Sequence, residues 1–332
     1  MMMNTPKRQT LTFFATVLAI TLAHTVSATL LFEETFPLGS GAGLYETGNV
    51  LGQPGEDGDW EGDIRLGGGG IHGGSGGTGG FFPEGDGSNF GVQSGGHSYP
   101  GLITGDARLA GGTYLNSVGD AAGTRRVNRN VDNFPTVLVD TGTYYFSVTG
   151  QAPSVGSLGS DEYILGGFYG SQEGGSIGFG FGFRGDEIVL HGRGFDEQSS
   201  LGRAFVTFDD GTGSPVTYTP GQEYFMVLEY NSSNNRAVTA TLNPDLTGTN
   251  DPLGTFSSSA TYMTAGGSSG LEGLELYSMT TTTDQNNLTY ASFGDYRIGE
   301  TFESVSPIPE PGTLALVGIS LMALVLMRRR KG

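Results

Sequence analysis

The stretch Ser-Ile-Gly-Phe-Gly-Phe-Gly-Phe at residues 176–183 alternates large apolar side chains with glycine. In an extended chain, successive side chains point to opposite faces of a sheet. The isoleucine and the three phenylalanines therefore share one face, and the serine and the glycines occupy the other. Two interpretations fit: an aromatic platform that stacks on sugar rings, or a core strand whose bare face is covered closely by another segment. Four aligned large apolar side chains favour the core strand.

Similar short apolar segments, bounded by glycine or asparagine, recur through the body of the chain. The clearest pair, Tyr224–Tyr230 and Ala237–Leu242, is separated by a turn-prone run of serine and asparagine and predicts a hairpin. Between Thr29 and Glu303 no long stretch has helical periodicity. The sequence therefore predicts an all-β sandwich. The other candidate strands are Leu30–Phe32, Thr143–Val148, Glu187–Leu190, Arg203–Phe208, Leu274–Tyr277 and Tyr296–Ile298.

Composition agrees with many short strands joined by glycine turns: 59 of the 332 residues are glycine, 11% are aromatic and 15% are charged. The net charge is −18. Without the two terminal segments described below, 10 basic and 33 acidic residues remain, which is a net charge of −23. Such a surface repels phosphate backbones and argues against a nucleic-acid partner. The chain has no cysteine, which excludes disulfides and thiolate metal sites.

The first 28 residues have the three parts of a secretory signal. A basic region with Lys7 and Arg8 precedes an apolar run, and small residues follow. Val26 and Ala28 suit the −3 and −1 positions, so cleavage is predicted after Ala28. An uncleaved anchor is the alternative, but the apolar run is short for a span of ~20 residues. The protein is expected to be exported.

The other end of the chain combines three features in order. Pro309, Glu310 and Pro311 form an extended Pro-Glu-Pro motif, because proline disfavours helix at its own position and at the one before it. The 15 uncharged residues Thr313–Met327 that follow predict a short apolar helix. A basic cluster follows, which by the positive-inside rule stays cytoplasmic and leaves the body on the far side of the membrane. The cluster consists of Arg328, Arg329, Arg330 and Lys331.

This order closely resembles the PEP-CTERM sorting signal of Gram-negative bacteria. The resemblance implies recognition by an exosortase, a membrane protease expected to cut near the Pro-Glu-Pro motif. It also implies transient anchoring in the inner membrane, followed by release or transfer to the cell surface or extracellular matrix. A host that makes exopolysaccharide is implied as well, which makes exopolysaccharide a candidate partner.

Short matches spread over the body resemble many PEP-CTERM proteins of planctomycetes and verrucomicrobia, whose body is similar to the concanavalin A-like, laminin G-like jelly roll. The resemblance implies that the first and last strands of the domain pair. We therefore expect Leu30–Phe36 to lie antiparallel to Ser292–Ile298, with Glu34 needing a partner or a bulge. The matching segments are Phe32–Phe36, Gly52–Gly55 leading to Trp60, Ser98–Leu102, Leu242–Leu246 and Asp295–Gly299.

These features divide the chain into four predicted parts. A secretory signal peptide occupies residues 1–28, and the jelly-roll domain occupies residues 29–303. A linker that contains the Pro-Glu-Pro motif covers residues 304–311. The transmembrane helix and basic tail cover residues 312–332.

The acidic run at residues 57–63 is the one candidate metal site. Its carboxylates alternate, with glycine at the sixth position, as at the start of a calcium loop. The twelfth position is Gly68 instead of the usual glutamate, so an acidic surface loop is the favoured interpretation and calcium the alternative. No other cofactor is expected. The candidate ligands are Asp57, Asp59, Glu61 and Asp63.

No catalytic residues are predicted. The three histidines after the signal, His72, His97 and His191, have no zinc-like spacing and are expected in solvated loops or strands. The Glu-x-Asp-x-x-Glu pattern of laminarinase-type jelly rolls is absent. The leading hypothesis is a non-enzymatic, surface-sorted matrix protein with polysaccharide as its candidate ligand. Two alternatives stay open: a secreted glycoside hydrolase or polysaccharide lyase on the same scaffold, and a ligand-free structural or adhesive protein.

Overall fold

The computed structural model of the chain describes fifteen separate parts of it, and the strands and contacts below refer to these parts. They are residues 29–38, 48–49, 54–55, 58–66, 90–112, 123–130, 142–154, 157–172, 175–192, 204–231, 237–246, 251–258, 271, 273–280 and 290–308.

One sheet of the fold has nine strands, in the order β15-β14-β13-β8-β17-β6-β5-β2, with β1 also paired to β17. The strands are β1 (Leu30–Glu34), β2 (Gly48–Asn49), β5 (Phe90–Ser94), β6 (Ala107–Gly112), β8 (Thr143–Gln151), β13 (Glu223–Asn231), β14 (Ala237–Leu242), β15 (Gly254–Ser258) and β17 (Tyr290–Gly299).

The second sheet has eight strands, in the order β12-β11-β10-β9-β16-β7-β4-β3. The strands are β3 (Pro54–Gly55), β4 (Gly58–Leu66), β7 (Gly123–Asn130), β9 (Tyr163–Gln172), β10 (Gly175–Arg184), β11 (Glu187–Gly192), β12 (Ala204–Thr207) and β16 (Gly273–Thr280). A short helix, α1 (Phe302–Val305), follows β17.

All of the strand pairs described are antiparallel, and the chain crosses repeatedly between the two sheets. The last two strands occupy central positions in the strand orders. β16 lies between β9 and β7, and β17 lies between β8 and β6. The predicted all-β, jelly-roll sandwich is confirmed. No helix within the described ranges has the length and apolar character that a membrane crossing requires. The predicted signal helix and transmembrane helix lie outside those ranges.

Strand β10 contains the alternating stretch at residues 176–183. Phe179, Phe181 and Phe183 are fully buried in the main core, which confirms the core-strand interpretation. On the opposite face, a Cβ at Gly182 would lie 2.1 Å from the backbone oxygen of Ile164 on β9, so that position requires glycine. The predicted hairpin is also confirmed, with β13 and β14 paired from Met226↔Leu242 to Asn231↔Ala237.

The predicted pairing of the first and last strands is present. Phe32 faces Ile298, Glu33 faces Arg297 and Glu34 faces Tyr296. Glu34 does point to the core side, where its carboxylate accepts the N–H of Phe36 at 2.7 Å. The N–H of Glu300 donates to the carbonyl of Thr29 at 3.1 Å, so the predicted mature N-terminus lies beside the start of the C-terminal segment.

A β-bulge interrupts β17 between Gly294 and Arg297, where its register with β8 shifts. Asp295 has a φ of 51°, in the left-handed region that non-glycine residues rarely adopt. Before the bulge, residues up to Phe293 pair with β6, and after it, residues from Tyr296 pair with β1. The bulge therefore lies where β17 changes its neighbour along one side.

Phe293 of β17 packs against aromatic rings of the opposite sheet. Its ring lies 6.3 Å from that of Phe181 and 6.1 Å from that of Phe183, both in the opposite sheet. Gly166 of β9 has no side chain to oppose it, and a Cβ there would lie 2.5 Å from Cγ of Phe293. The contact between the sheets therefore depends on glycine at this position.

The structure differs from the sequence prediction in two local features. The acidic run at residues 57–63, expected as a surface loop, instead provides most of strand β4, which pairs with β7 from Trp60↔Arg129 to Leu66↔Gly123. The packed body also continues past the predicted boundary at Glu303. Ser304, Val305 and Ser306 are buried against it.

We predict that Gly166→Ala destabilises the fold by about 1–3 kcal/mol, because the added methyl group overpacks the contact between the sheets. Chemical denaturation of the purified protein measures this. Gly180→Ala is the matched control, since its Cβ would meet its nearest atom at an ordinary 3.4 Å. Equal losses for the two variants would contradict the close approach at Phe293.

Candidate functional site

A buried polar network lies on the outer face of the nine-stranded sheet, and we call it the Arg297 network. Arg297 is only 1% exposed. Its Nε donates to Oε1 of Glu33 at 2.7 Å, and its Nη2 donates to the carbonyl of Ile103 at 2.8 Å and lies 3.4 Å from Oδ1 of Asp295. One guanidinium therefore joins the first strand, the last strand and the loop that contains Ile103.

Asp295 is placed in this network by the bulge. Its Oδ1 accepts the N–H of Gly105 at 2.7 Å, and its Oδ2 lies 2.9 Å from the hydroxyl of Thr149. Burial raises the pKa of Asp295, whereas Arg297 and the two hydrogen bonds act in the opposite direction. The carboxylate thus binds the loop to β17 and β8 at a site with little water.

His97 belongs to the same loop, and its ring lies between Thr149 and Ser292. Its Nδ1 is 2.7 Å from Oγ1 of Thr149, and its Nε2 is 3.0 Å from Oγ of Ser292. The single hydroxyl proton of Thr149 goes to Asp295 or to the carbonyl of Gly294, which is also 2.9 Å away. Thr149 must then accept the Nδ1 proton of His97, which leaves Nε2 to accept from Ser292. His97 is therefore held as the neutral Nδ1–H tautomer.

The network has the residue types of a serine nucleophile with its base, but its environment suits a structural role. Burial, reinforced by the charge of Arg108, lowers the pKa of His97 to about 3. A base with so low a pKa accepts a proton poorly at neutral pH. His97 and Ser292 are also 2% and 4% exposed, so a polymer has no access to them. The network fastens the loop at residues 95–106 onto the sheet.

The second cluster lies on the outer face of the eight-stranded sheet and consists of Asp161, Tyr163, Arg184, His191 and Phe205; we call it the Phe205 cluster. The ring of Phe205 is 4.8 Å from that of Tyr163 and 4.9 Å from that of His191. The guanidinium carbon of Arg184 lies 4.8 Å from the centre of the Phe205 ring. These contacts collect aromatic rings and a cation from four different strands.

Part of the Phe205 cluster is open to solvent. Phe205 is half-buried. The side chain of Arg184 is 36% exposed, and its Nη2 lies 3.6 Å from Oδ1 of Asp161, which is 72% exposed. A cation over an aromatic ring gains energy where the pair is partly desolvated. The exposed guanidinium and carboxylate can form hydrogen bonds with hydroxyl groups while the ring offers an apolar surface.

Neither cluster has a sequence motif of its own. His97 and His191, expected to be solvated, are 2% and 7% exposed. The ring of His97 is hydrogen-bonded to the sheet on both nitrogens, and Phe205 packs on His191. The third histidine, His72, lies outside the described residues. Two segments of the Arg297 network, Phe32–Phe36 and Asp295–Gly299, have a sequence signal in their family resemblance, but neither indicates a buried charge.

The structure describes the backbone of three of the four predicted metal ligands. Asp59, Glu61 and Asp63 occupy alternate positions of β4, and Asp57 lies outside the described residues. Glu61 pairs with Asn128 and Asp63 with Arg126 on β7. Among the side chains that the structure describes, no group of three or more histidine, aspartate or glutamate residues is arranged to hold a metal ion. Calcium binding stays a prediction.

We predict that His97 makes the protein acid-sensitive. Because folding lowers its pKa from 6.5 to about 3, the unfolded chain binds a proton below pH 6.5 that the folded protein does not. Stability is then lost as the pH falls from 6.5 towards 3, by about 1.4 kcal/mol per pH unit. Denaturation at a series of pH values should give a slope that is larger by this amount in the native chain and in Ser292→Ala than in His97→Asn.

The comparison uses slopes, so a general loss of stability in the variants does not affect it. The raised pKa of Asp295 acts in the opposite sense, since the folded protein then keeps a proton that the unfolded chain has released. All three proteins retain Asp295, so this contribution cancels in the comparison. An unchanged slope in His97→Asn would show that His97 is not the responsible group.

Comparison with known proteins gives similarities of fold. The chain is 10% identical to an endo-β-1,4-glucuronan lyase from the fungus Trichoderma reesei, over 65% of this chain and 90% of that one, with a TM-score of 0.42. It is 13% identical to a botulinum neurotoxin serotype D binding domain, over 63% and 42% of the two chains, with a TM-score of 0.36. No curated protein sequence matches it.

The C-terminal segment gives a specific match. Residues 307–331 match the PEP-CTERM protein-sorting motif. The match includes the predicted Pro-Glu-Pro motif, the apolar segment and the basic cluster. The chain therefore carries the PEP-CTERM sorting signal, which marks an exported protein for exosortase processing and sorting to the cell surface.

Proposed function

We propose that the chain is a cell-surface or extracellular-matrix protein of a Gram-negative bacterium, with a non-catalytic jelly-roll body that binds polysaccharide at the Phe205 cluster. The sorting motif at residues 307–331 is the observation that supports the location. Exosortase cleaves the tail, and the body is released or transferred from the inner membrane.

Polysaccharide is the proposed ligand because of the side chains that the Phe205 cluster exposes. A sugar presents apolar C–H faces and a rim of hydroxyl groups. The half-buried ring of Phe205 can pack on the C–H face, and Arg184 and Asp161 can form hydrogen bonds with the hydroxyl groups. The two charged groups already pair with each other, so the cluster adds little net charge and favours neutral sugars over strongly acidic ones.

A row of residues in backbone register crosses the sheet beside the cluster. In register, Leu165 of β9 pairs with Tyr277 of β16, and Tyr277 pairs with Arg126 of β7. Arg126 in turn pairs with Asp63 of β4. An extended sugar chain needs a row of contacts several strands wide, and this register spans four strands.

We predict that Phe205→Ala weakens binding of the secreted protein to its glycan by about tenfold, equal to ~1.4 kcal/mol. A glycan array identifies the ligand, and titration of the best glycan measures the affinity. Phe256→Ala is the matched control, since Phe256 is also half-buried but lies on β15 of the other sheet. Binding that both variants retain would remove the Phe205 cluster as the site.

The same array, repeated with and without calcium, tests whether glycan binding depends on calcium. Binding that needs calcium would support the acidic run of β4 as a metal site. A glycan shortened by the protein would instead support the hydrolase or lyase alternative, and no binding to any glycan would support a ligand-free structural role.

We also predict that replacing both Pro309 and Pro311 by alanine keeps the protein in the inner membrane, because the extended processing site is lost. Cell fractionation of the native host measures this, with Pro252→Ala in the body as the control. Intact mass of the secreted native protein should show a start at Thr29 and no Arg328–Lys331. A secreted protein that retains the basic cluster would contradict the assignment.

A further inference from the structure

The C-terminal segment turns back over the outer face of the nine-stranded sheet after β17. Thr301 caps α1 by accepting the N–H of Ser304 at 3.2 Å. Val305 is fully buried in a small cluster with Phe225 and Val227, and its carbonyl accepts the hydroxyl of Ser147 at 2.8 Å. The tail therefore leaves the body from this face and not from the Phe205 side.

The last hydrogen bond before the sorting tail fixes the exit point. The N–H of Ile103 donates to the carbonyl of Pro307 at 2.9 Å, and the carbonyl of Ile103 binds Arg297. Ile103 and Ile308 are nevertheless 50% and 45% exposed. Two exposed isoleucines thus lie together where the chain leaves the body, and a buried cation holds the loop beneath them.

The connection from this point to the predicted membrane helix is short. Ile308 is four residue steps from Gly312, and a fully extended chain covers at most about 14 Å in four steps. The headgroup layer on each side of a bilayer takes up roughly 5–7 Å of that distance. A domain of this length has a radius of gyration of about 19 Å, so the body is much larger than its tether.

We propose that, until the tail is cut, the surface around Ile103 and Ile308 rests on the bilayer and the Phe205 cluster faces away from it. The inference rests on the proposed membrane anchoring of the tail. It follows because a body fastened at Pro307 cannot turn its opposite face to a membrane that lies within 14 Å of the exit. The sorting tail thereby orients the ligand-binding face as well as delivering the protein.

The short tether, and not affinity for lipid, holds this contact. Glu33, Glu300 and Glu303 lie around the exit and are exposed, and the body as a whole is strongly acidic. Anionic lipid headgroups would repel such a surface. The two isoleucines alone form too small a patch for stable association. Vesicles of zwitterionic phosphatidylcholine are therefore the appropriate probe.

The absence of cysteine allows a direct test with the full chain. Ile103→Cys and Asp161→Cys each provide one site for a fluorescent label, on the membrane side and on the opposite side. The labelled chains are reconstituted into phosphatidylcholine vesicles that contain a lipid with a spin label on its headgroup. We expect the label at 103 to lose fluorescence and the label at 161 to keep it.

A matched variant separates the tether from any affinity for lipid. Twenty glycine and serine residues inserted between Ile308 and Pro309 add a mean reach of about 25 Å, which should abolish the quenching at position 103. Quenching that survives the insertion, equal quenching at both positions, or none at either would overturn the proposal.

Flotation of the vesicles distinguishes this result from failure of the proposed function. A chain that floats with the vesicles but shows no quenching at position 103 retains the proposed anchoring and loses only the orientation. A chain that does not float contradicts the membrane role of the tail, and the orientation with it.

Discussion

The buried charge of Arg297 is the interaction on which the rest of the structure depends. A guanidinium that is 1% exposed is stable only where anions and carbonyl groups replace its water. Here those groups come from Glu33 on the first strand, Asp295 on the last and Ile103 in the loop between β5 and β6. Removing one partner of such a buried pair typically costs 3–5 kcal/mol. One charge therefore fastens together three segments that are distant in sequence.

The bulge in β17 makes this arrangement geometrically feasible. By adding Asp295 between Gly294 and Tyr296, it brings a carboxylate to the outer face while Phe293 and Tyr296 still reach the core. It also lies where β17 passes from β6 to β1. A strained residue at φ 51° persists because its carboxylate is bonded on two sides. The hydrogen bonds of Asp295 thus offset the backbone strain at this residue.

The two faces of the sandwich consequently have different roles in the proposed function. The outer face of the nine-stranded sheet is covered by the loop at residues 95–106 and by α1, and the sorting tail leaves from it. The outer face of the eight-stranded sheet carries the partly exposed Phe205 cluster. Delivery and ligand binding are in this way separated by the thickness of the core, so that processing at one face leaves the other intact.

The sequence by itself determined what depends on neighbouring residues: the strand at residues 176–183, the hairpin of β13 and β14, and the sorting motif, because alternation and hydropathy are local properties. Resemblance to a family of jelly rolls supplied the pairing of β1 with β17. Only the tertiary structure decided that His97 and Arg297 are buried and that Phe205 meets Tyr163 and Arg184. Those contacts join residues up to 264 positions apart, and the strand order that unites them has no signature within any single segment.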